Sequence, residues 1–232
     1  MIRNNGKTMS NYCLAPMSVD EINKLLGNEF VNEFQRRMNL IMEPLREYID
    51  EGTPMPLDKA VWERVVAKSI KNGKWVGAGK NIIDVRIDDK GVDVKTVSKE
   101  HKSRSTTEAS MLQTFKEETK AYFNAKDENS IWNLFVNGWL AKVKNVKEYY
   151  LLGIVREKET LNCSLCCFKV IKTDLLYDPA LCKFTSKSMK VFGLADPDFI
   201  ETRVYSSKTR LEIKFKSKVW KDPNYCLQIY KF

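Results

Sequence analysis

The sequence predicts a mixed α/β fold, a central β-sheet flanked by helices and followed by a basic, β-rich C-terminal part. Three observations carry this. Apolar residues recur at helical spacing as far as about residue 70. The period then changes to alternation in two runs, 83–87 and 92–95, on either side of a turn. Beyond Tyr149 the chain reads as short strands and turns, with lysines and arginines accumulating among them.

Residues 1–17 read as an irregular arm. Ser18-Val19-Asp20-Glu21 is a capping box that opens a helix. Ile22, Leu25, Leu26, Phe30, Phe34, Met38, Ile41, Leu45 and Tyr48 continue the apolar stripe, so two helices are expected, separated or bent near Gly27 or Pro44. A third helix runs from Leu57 to about Ile70, and Asn72-Gly73 stops it. Asn81 to Ile87 and Val92 to Val97 then form a hairpin. Ile83, Val85 and Ile87 point one way, and Asp84 and Arg86 the other. Asp88-Asp89-Lys90-Gly91 is the turn, with Gly91 free to take a positive φ. After a polar loop, Ser105-Thr106-Thr107-Glu108 is a second capping box, expected to open a helix through Met111, Leu112, Phe115, Thr119 and Tyr122. Asn129 is expected to cap a helix from Ile131 to Lys142. Strands follow at Tyr149–Val155 and Cys167–Ile171, and a second hairpin joins Ile200–Tyr205 to Leu211–Phe215. No linker or repeat divides the chain, so residues 1–232 are expected to form a single domain.

The formal net charge is +9, and the surplus is concentrated late: 15 Lys/Arg stand against 9 Asp/Glu from Tyr150 to Phe232. A basic surplus suits a polyanionic partner, because neutralising phosphates drives such binding. Met1 to Val19 holds no apolar core of signal-peptide length, and no stretch approaches a membrane span. A cytoplasmic protein with reduced thiols and no membrane partner is expected. The single histidine, His101, argues against histidine-based hydrolysis. Cys163-x-x-Cys166-Cys167 lacks a second spaced pair, so buried thiols are expected there in preference to zinc. Gly77-Ala78-Gly79-Lys80 lacks the spacing and the Ser/Thr of a phosphate loop, so no nucleotide cofactor is expected.

The chemistry lies on the first hairpin. Asp93 and Lys95 are two apart on one strand and share a face. With a tight turn, Asp84 falls opposite or diagonal to Asp93, and with a bulge at Gly91 it moves nearer Lys95. Two carboxylates suit Mg²⁺, which keeps several of its own waters. A cationic lysine beside them can orient a water and stabilise a developing oxyanion.

Asn-Ile-Ile-Asp84 … Gly-Val-Asp93-Val-Lys95-Thr resembles the core signature of the PD-(D/E)xK nuclease superfamily, in particular type II restriction endonucleases. Ile83 stands where that pattern often has proline. The resemblance covers about residues 18–156 and implies a restriction-endonuclease-like core of a helix, a three-strand meander, a helix and a strand. The part from 157 to 232 would then contribute to DNA binding. It implies Mg²⁺-dependent hydrolysis of double-stranded DNA at a specific sequence, leaving 5′-phosphate ends, with Mn²⁺ able to substitute. Asp84, Asp93 and the Val94 carbonyl would hold the metal, and Lys95 would assist the water. A homodimer is expected, since a palindrome has two symmetric cutting sites. The family often adds an acidic residue from the first core helix, for which Glu29 and Glu33 are candidates; Gln113 is a further candidate neighbour. Candidate DNA contacts are Lys80, Ser103, Arg104, Ser105, Thr106 and Thr107, and in the second hairpin Ser207, Lys208, Thr209 and Arg210. A repair nuclease or junction resolvase of the same fold, or a DNA-binding protein without catalysis, are the alternatives. A rival motif, Pro197-Asp198 … Glu212-Ile213-Lys214, stands near the end of the chain without a following helix and strand.

Overall fold

The computed structural model describes residues 13–45, 57–76, 83–98, 105–109, 116–133, 146–157, 162–171, 182–185, 188–191, 195–196, 198–205 and 211–231. Expectations at Lys80, Ser103, Arg104, Met111, Leu112, Gln113, Phe115 and Ser207–Arg210 lie outside these residues, as does the Gly77–Lys80 stretch.

In chain order, β1 (Leu14–Pro16) precedes helices α1 (Val19–Leu26), α2 (Phe30–Met42) and α3 (Lys59–Ser69). Strands β2 (Gly73–Trp75), β3 (Val85–Ile87), β4 (Lys90–Ser98) and β5 (Ser105–Ala109) follow, then helix α4 (Lys116–Ala125). Next come β6 (Glu148–Arg156), β7 (Cys163–Val170), β8 (Cys182–Thr185), β9 (Ser188–Val191), β10 (Ile200–Tyr205) and β11 (Leu211–Phe215). Helix α5 (Ser217–Lys221) and β12 (Leu227–Tyr230) complete the order.

The expected capping box forms at Ser18. Its hydroxyl accepts from the Glu21 N–H, and the Glu21 carboxylate accepts from the Ser18 N–H at 2.7 Å. Gly27, at φ 92°, separates α1 from α2. At Pro44 the chain tightens into one 3₁₀ turn, Glu43–Leu45. Asp58 caps α3, and Asn72, at φ 65°, turns the chain into β2.

The main sheet is mixed, in the order β1-β7-β6-β4-β3-β2, with β12 also pairing β7. β2, β3 and β4 form an antiparallel meander, while β4 and β6 run parallel along their whole length. Helices α1 to α3 cover one face, packing Phe30, Phe34, Met38, Trp62 and Val66 against Val85, Val92, Val94, Leu152 and Ile154. On the other face, Leu151, Cys166 and Phe168 pack with Ile200, Ile213 and Phe215 of a second sheet and with Phe123, Ile131 and Trp132. The second sheet is antiparallel throughout, in the order β5-β11-β10-β9-β8. Among the described residues no helix is long and apolar enough to cross a membrane.

Several local expectations are corrected. Ser105–Ala109 is a strand paired with β11, not the start of a helix; the next described helix is α4, Lys116–Ala125. The Thr-rich segment supplies a partner to the edge of β11, which outweighs a local cap of about 1 kcal/mol. The hairpin turn is two residues, Asp88-Asp89, because Ile87 pairs Lys90; the positive φ, 53°, falls on Asp88. Gly91 is needed for space: a Cβ there would lie 2.9 Å from Val146 and 3.0 Å from Ile83. Ile83 packs in the core facing the second sheet, apart from Val85 and Ile87. Asp127, not Asn129, caps the helical residues 128–133, accepting from the Ser130 N–H at 3.0 Å. β1 falls inside the expected irregular arm, and β7 starts earlier than expected, at Cys163.

Gly153 lets the second sheet approach the main sheet closely. A Cβ there would stand 2.9 Å from Cys166 Sγ and 2.9 Å from the Phe215 ring. Gly153→Val is expected to destabilise the fold by about 1–3 kcal/mol through overpacking. Urea unfolding of the two proteins measures this.

Candidate active site

The site grows out of the alternation of β4. Val92 and Val94 turn towards the helices, so Asp93 and Lys95 turn to the opposite face. Pairing between β3 and β4 ends at Val85 and Val92. Asp84 lies one residue beyond that last pair, in a hairpin whose two-residue turn gives the tight-turn register. The Asp84 N–H donates to the Val92 carbonyl at 3.1 Å, and the Asp84 carbonyl accepts from the Val76 N–H at 3.0 Å. The Asp84 carboxylate then takes over where the strand pairing stops: Oδ2 accepts the Val94 N–H at 2.7 Å.

Lys95 Nζ donates to Asp93 Oδ1 and stands 3.8 Å from Asp84 Oδ2. The Tyr149 hydroxyl, reaching across from β6, donates to Asp93 Oδ2 at 2.9 Å. Asp84, Asp93 and Lys95 are 9%, 2% and 5% exposed. One ammonium thus borders both carboxylates in a largely dry place, and the three groups carry a formal charge of −1. In a strand the N–H and C=O of one residue point to the same edge. The Val94 carbonyl therefore opens on the side where Asp84 binds the Val94 N–H. Two carboxylates and a carbonyl are hard oxygen donors, the set that Mg²⁺ takes together with its own waters. The donor set fits Mg²⁺. Among the described residues, no three His, Cys, Asp or Glu side chains cluster as an all-protein cage.

The structure thus brings together Asp84, Asp93 and Lys95. It does not bring the two proposed helix glutamates to them. Glu29 is exposed at the start of α2, and Glu33 pairs with Arg36 at 3.0 Å and with Arg37 at 3.2 Å on the solvent side of that helix. Arg36 and Arg37 hold the Glu33 carboxyl below its usual range. Ser105, Thr106 and Thr107 lie in β5, opposite Phe215, Lys214 and Ile213. The rival motif is dispersed: Asp198 pairs with Lys218, whereas Glu212 stands opposite Arg203 towards the far end of β10. The cysteine motif cannot converge on one ion. Cys163 and Cys167 pack among the helices, and Cys166 packs on the opposite face. Burial raises all three thiols, Cys163 to about 12.

Two residues escaped the sequence reading. Glu63 on α3 is buried, and its carboxylate accepts from the Trp75 indole at 3.2 Å. Trp75 lies opposite Val85, the neighbour of Asp84, so Glu63 is tied to the meander that carries Asp84. Its position three and four residues before the buried Val66 and Ala67 was a legible sign of burial. Tyr149 was visible only as part of an apolar strand, because nothing local encodes the parallel register with β4. No family model matches the chain, and no curated protein or solved structure is detectably similar to it.

Burial, and then the charges of Asp93 and Asp84, push the Tyr149 phenol well above its ordinary value of about 10. The folded state therefore retains a proton that the unfolded chain releases. The resulting stability is complete below pH about 10 and is lost as pH rises towards the folded value. Tyr149→Phe is expected to flatten this alkaline decline, measured as unfolding free energy in urea from pH 8 to 11.

Proposed function

We propose that the protein is a Mg²⁺-dependent endonuclease similar to type II restriction endonucleases, hydrolysing double-stranded DNA at a specific sequence and leaving 5′-phosphate ends. The observation that carries this reading is the convergence of Asp84, Asp93 and Lys95 on one buried volume of the main sheet. The chain order supports it: α3, then the β2-β3-β4 meander, then α4, then β6 parallel to β4. Leaving aside β5, which joins the second sheet, this order is similar to the helix, meander, helix and strand that the PD-(D/E)xK resemblance implies. The charge of +9 favours a phosphate backbone as partner.

Asp84 and Asp93, with the Val94 carbonyl, would hold Mg²⁺, and Mn²⁺ could replace it. Mg²⁺ there supplies charge stabilisation at the scissile phosphate and a more acidic water. The residues of the chain do the rest. Asp84 is fixed by the Val94 N–H, so its carboxylate is oriented before any ligand arrives. Lys95 brings a positive charge beside both carboxylates, where it can orient the attacking water and stabilise the phosphorane oxyanion. Cutting both strands of a palindrome calls for a homodimer.

The test is cleavage of plasmid and genomic DNA with Mg²⁺ against chelator. Asp84→Asn, Asp93→Asn and Lys95→Ala are each expected to lower cleavage by about 100-fold or more. DNA binding in chelator should persist, and circular dichroism should report an intact fold. Discrete fragments from plain duplex support restriction activity. Cleavage confined to branched or damaged DNA points to a repair nuclease or resolvase of the same fold. Equal DNA binding in Mg²⁺ and chelator with no cleavage by the wild type overturns the enzymatic reading.

A further inference from the structure

We propose that Tyr149 is a positioning residue that holds the Asp93 carboxylate in the orientation needed to bind the divalent ion. The inference rests on the metal-dependent reading of the site. It starts from the register of the two central strands. Tyr149 lies opposite Gly91, and Leu151 opposite Asp93, in the parallel β4–β6 pair. Tyr149 therefore shares the face of Asp93, and its phenol spans from one strand to the other.

Both oxygens of Asp93 are engaged: Oδ1 by Lys95 and Oδ2 by Tyr149. The terminal torsion of an aspartate has a broad, shallow profile, so the carboxylate plane is set by its partners. Each oxygen offers two lone-pair sites, so neither of these bonds by itself fills the oxygen it meets. The Lys95 ammonium sits at the end of a long flexible stem, whereas the Tyr149 hydroxyl is carried by a rigid ring packed in the core. The rigid partner is the one that defines the plane. Burying a hydroxyl beside a carboxylate costs free energy that a phenylalanine would avoid. The bond to Asp93 offsets part of that cost at this position.

The experiment titrates Mn²⁺ into the full chain without DNA by calorimetry, using wild type, Tyr149→Phe and Asp93→Asn. Cleavage is measured in parallel as a function of Mg²⁺ concentration. Loss of a partner to a ligating carboxylate typically weakens metal binding by about 10–100-fold. Tyr149→Phe should therefore weaken Mn²⁺ binding by about tenfold and raise the Mg²⁺ concentration for half-maximal cleavage by a similar factor. The rate at saturating Mg²⁺ should return to the wild-type level, a recovery that a merely destabilised fold would not give. Wild-type Mn²⁺ affinity in a folded Tyr149→Phe protein overturns the inference while leaving the metal site standing. A wild-type protein that binds no Mn²⁺, or an Asp93→Asn protein that binds it equally well, overturns the metal reading itself. If Tyr149→Phe does not fold, the near-UV difference spectrum decides: Mn²⁺ must perturb tyrosine absorption in the wild type and not in Asp93→Asn. Absence of that perturbation from the wild type overturns the proposal.

Discussion

Two carboxylates and an ammonium are buried together on a central strand, and their desolvation has to be offset on the spot. Taking such groups out of water costs several kcal/mol each, and mutual attraction restores this only when every group is well paired. The pairing here is thorough. Asp93 meets Lys95 and Tyr149; Asp84 meets the Val94 N–H and lies within reach of Lys95. Well-packed apolar side chains of similar volume would often serve stability as well or better. A charged group in this position is therefore weak as a stability device.

The surrounding backbone is arranged for the same end. β3 stops pairing with β4 at Val92, which leaves the Val94 N–H without a strand partner on that side. The Asp84 side chain fills the place of the missing strand. Ending β3 one residue earlier or later would leave that N–H to a different group. Gly91 and Gly153 flank the polar residues on the same face and keep side-chain bulk away from them. Gly91 makes room for Val146 and Ile83, and Gly153, opposite Lys95, makes room for Cys166 and Phe215. The hydrophobic walls of the site are thus built into the positions that lack a side chain.

Much of this was legible locally and some was not. The alternation of Val92, Asp93, Val94 and Lys95 sufficed to separate a core face from a polar one, because strand side chains alternate with a period of two. The capping box at Ser18 and the break at Gly27 were equally readable, since both depend on residues within one turn. The same signal at Ser105 misled. There a strand pairing with residues about a hundred positions away decided the outcome. Nothing local to the hairpin indicates what covers its polar face. The second sheet packs on that side, and four of its five strands come from the C-terminal third. Glu33 was read as a candidate and Glu63 was not, because residue type does not say which glutamate is buried. Distinguishing them required knowing which helix packs on the meander, and α3 does.

Register ties these points together. β4 is bound to β3 on one side and to β6 along its entire length on the other. A slip of one residue would turn Asp93 and Lys95 into the helix core and expose Val92 and Val94 to the opposite layer. It would also move Asp93 out of reach of the Tyr149 hydroxyl and Val94 away from Asp84. Apolar burial on the helix side and polar pairing on the other side therefore select the same alignment, each penalising the slip that would spoil the other. The hydrophobic core of Val85, Val92, Val94, Leu152 and Ile154 supplies the larger share of that selection. The geometry of the candidate site is a consequence of how that core packs, which is why a site made of so few residues can be positioned without disulfides or an all-protein metal cage among the described residues.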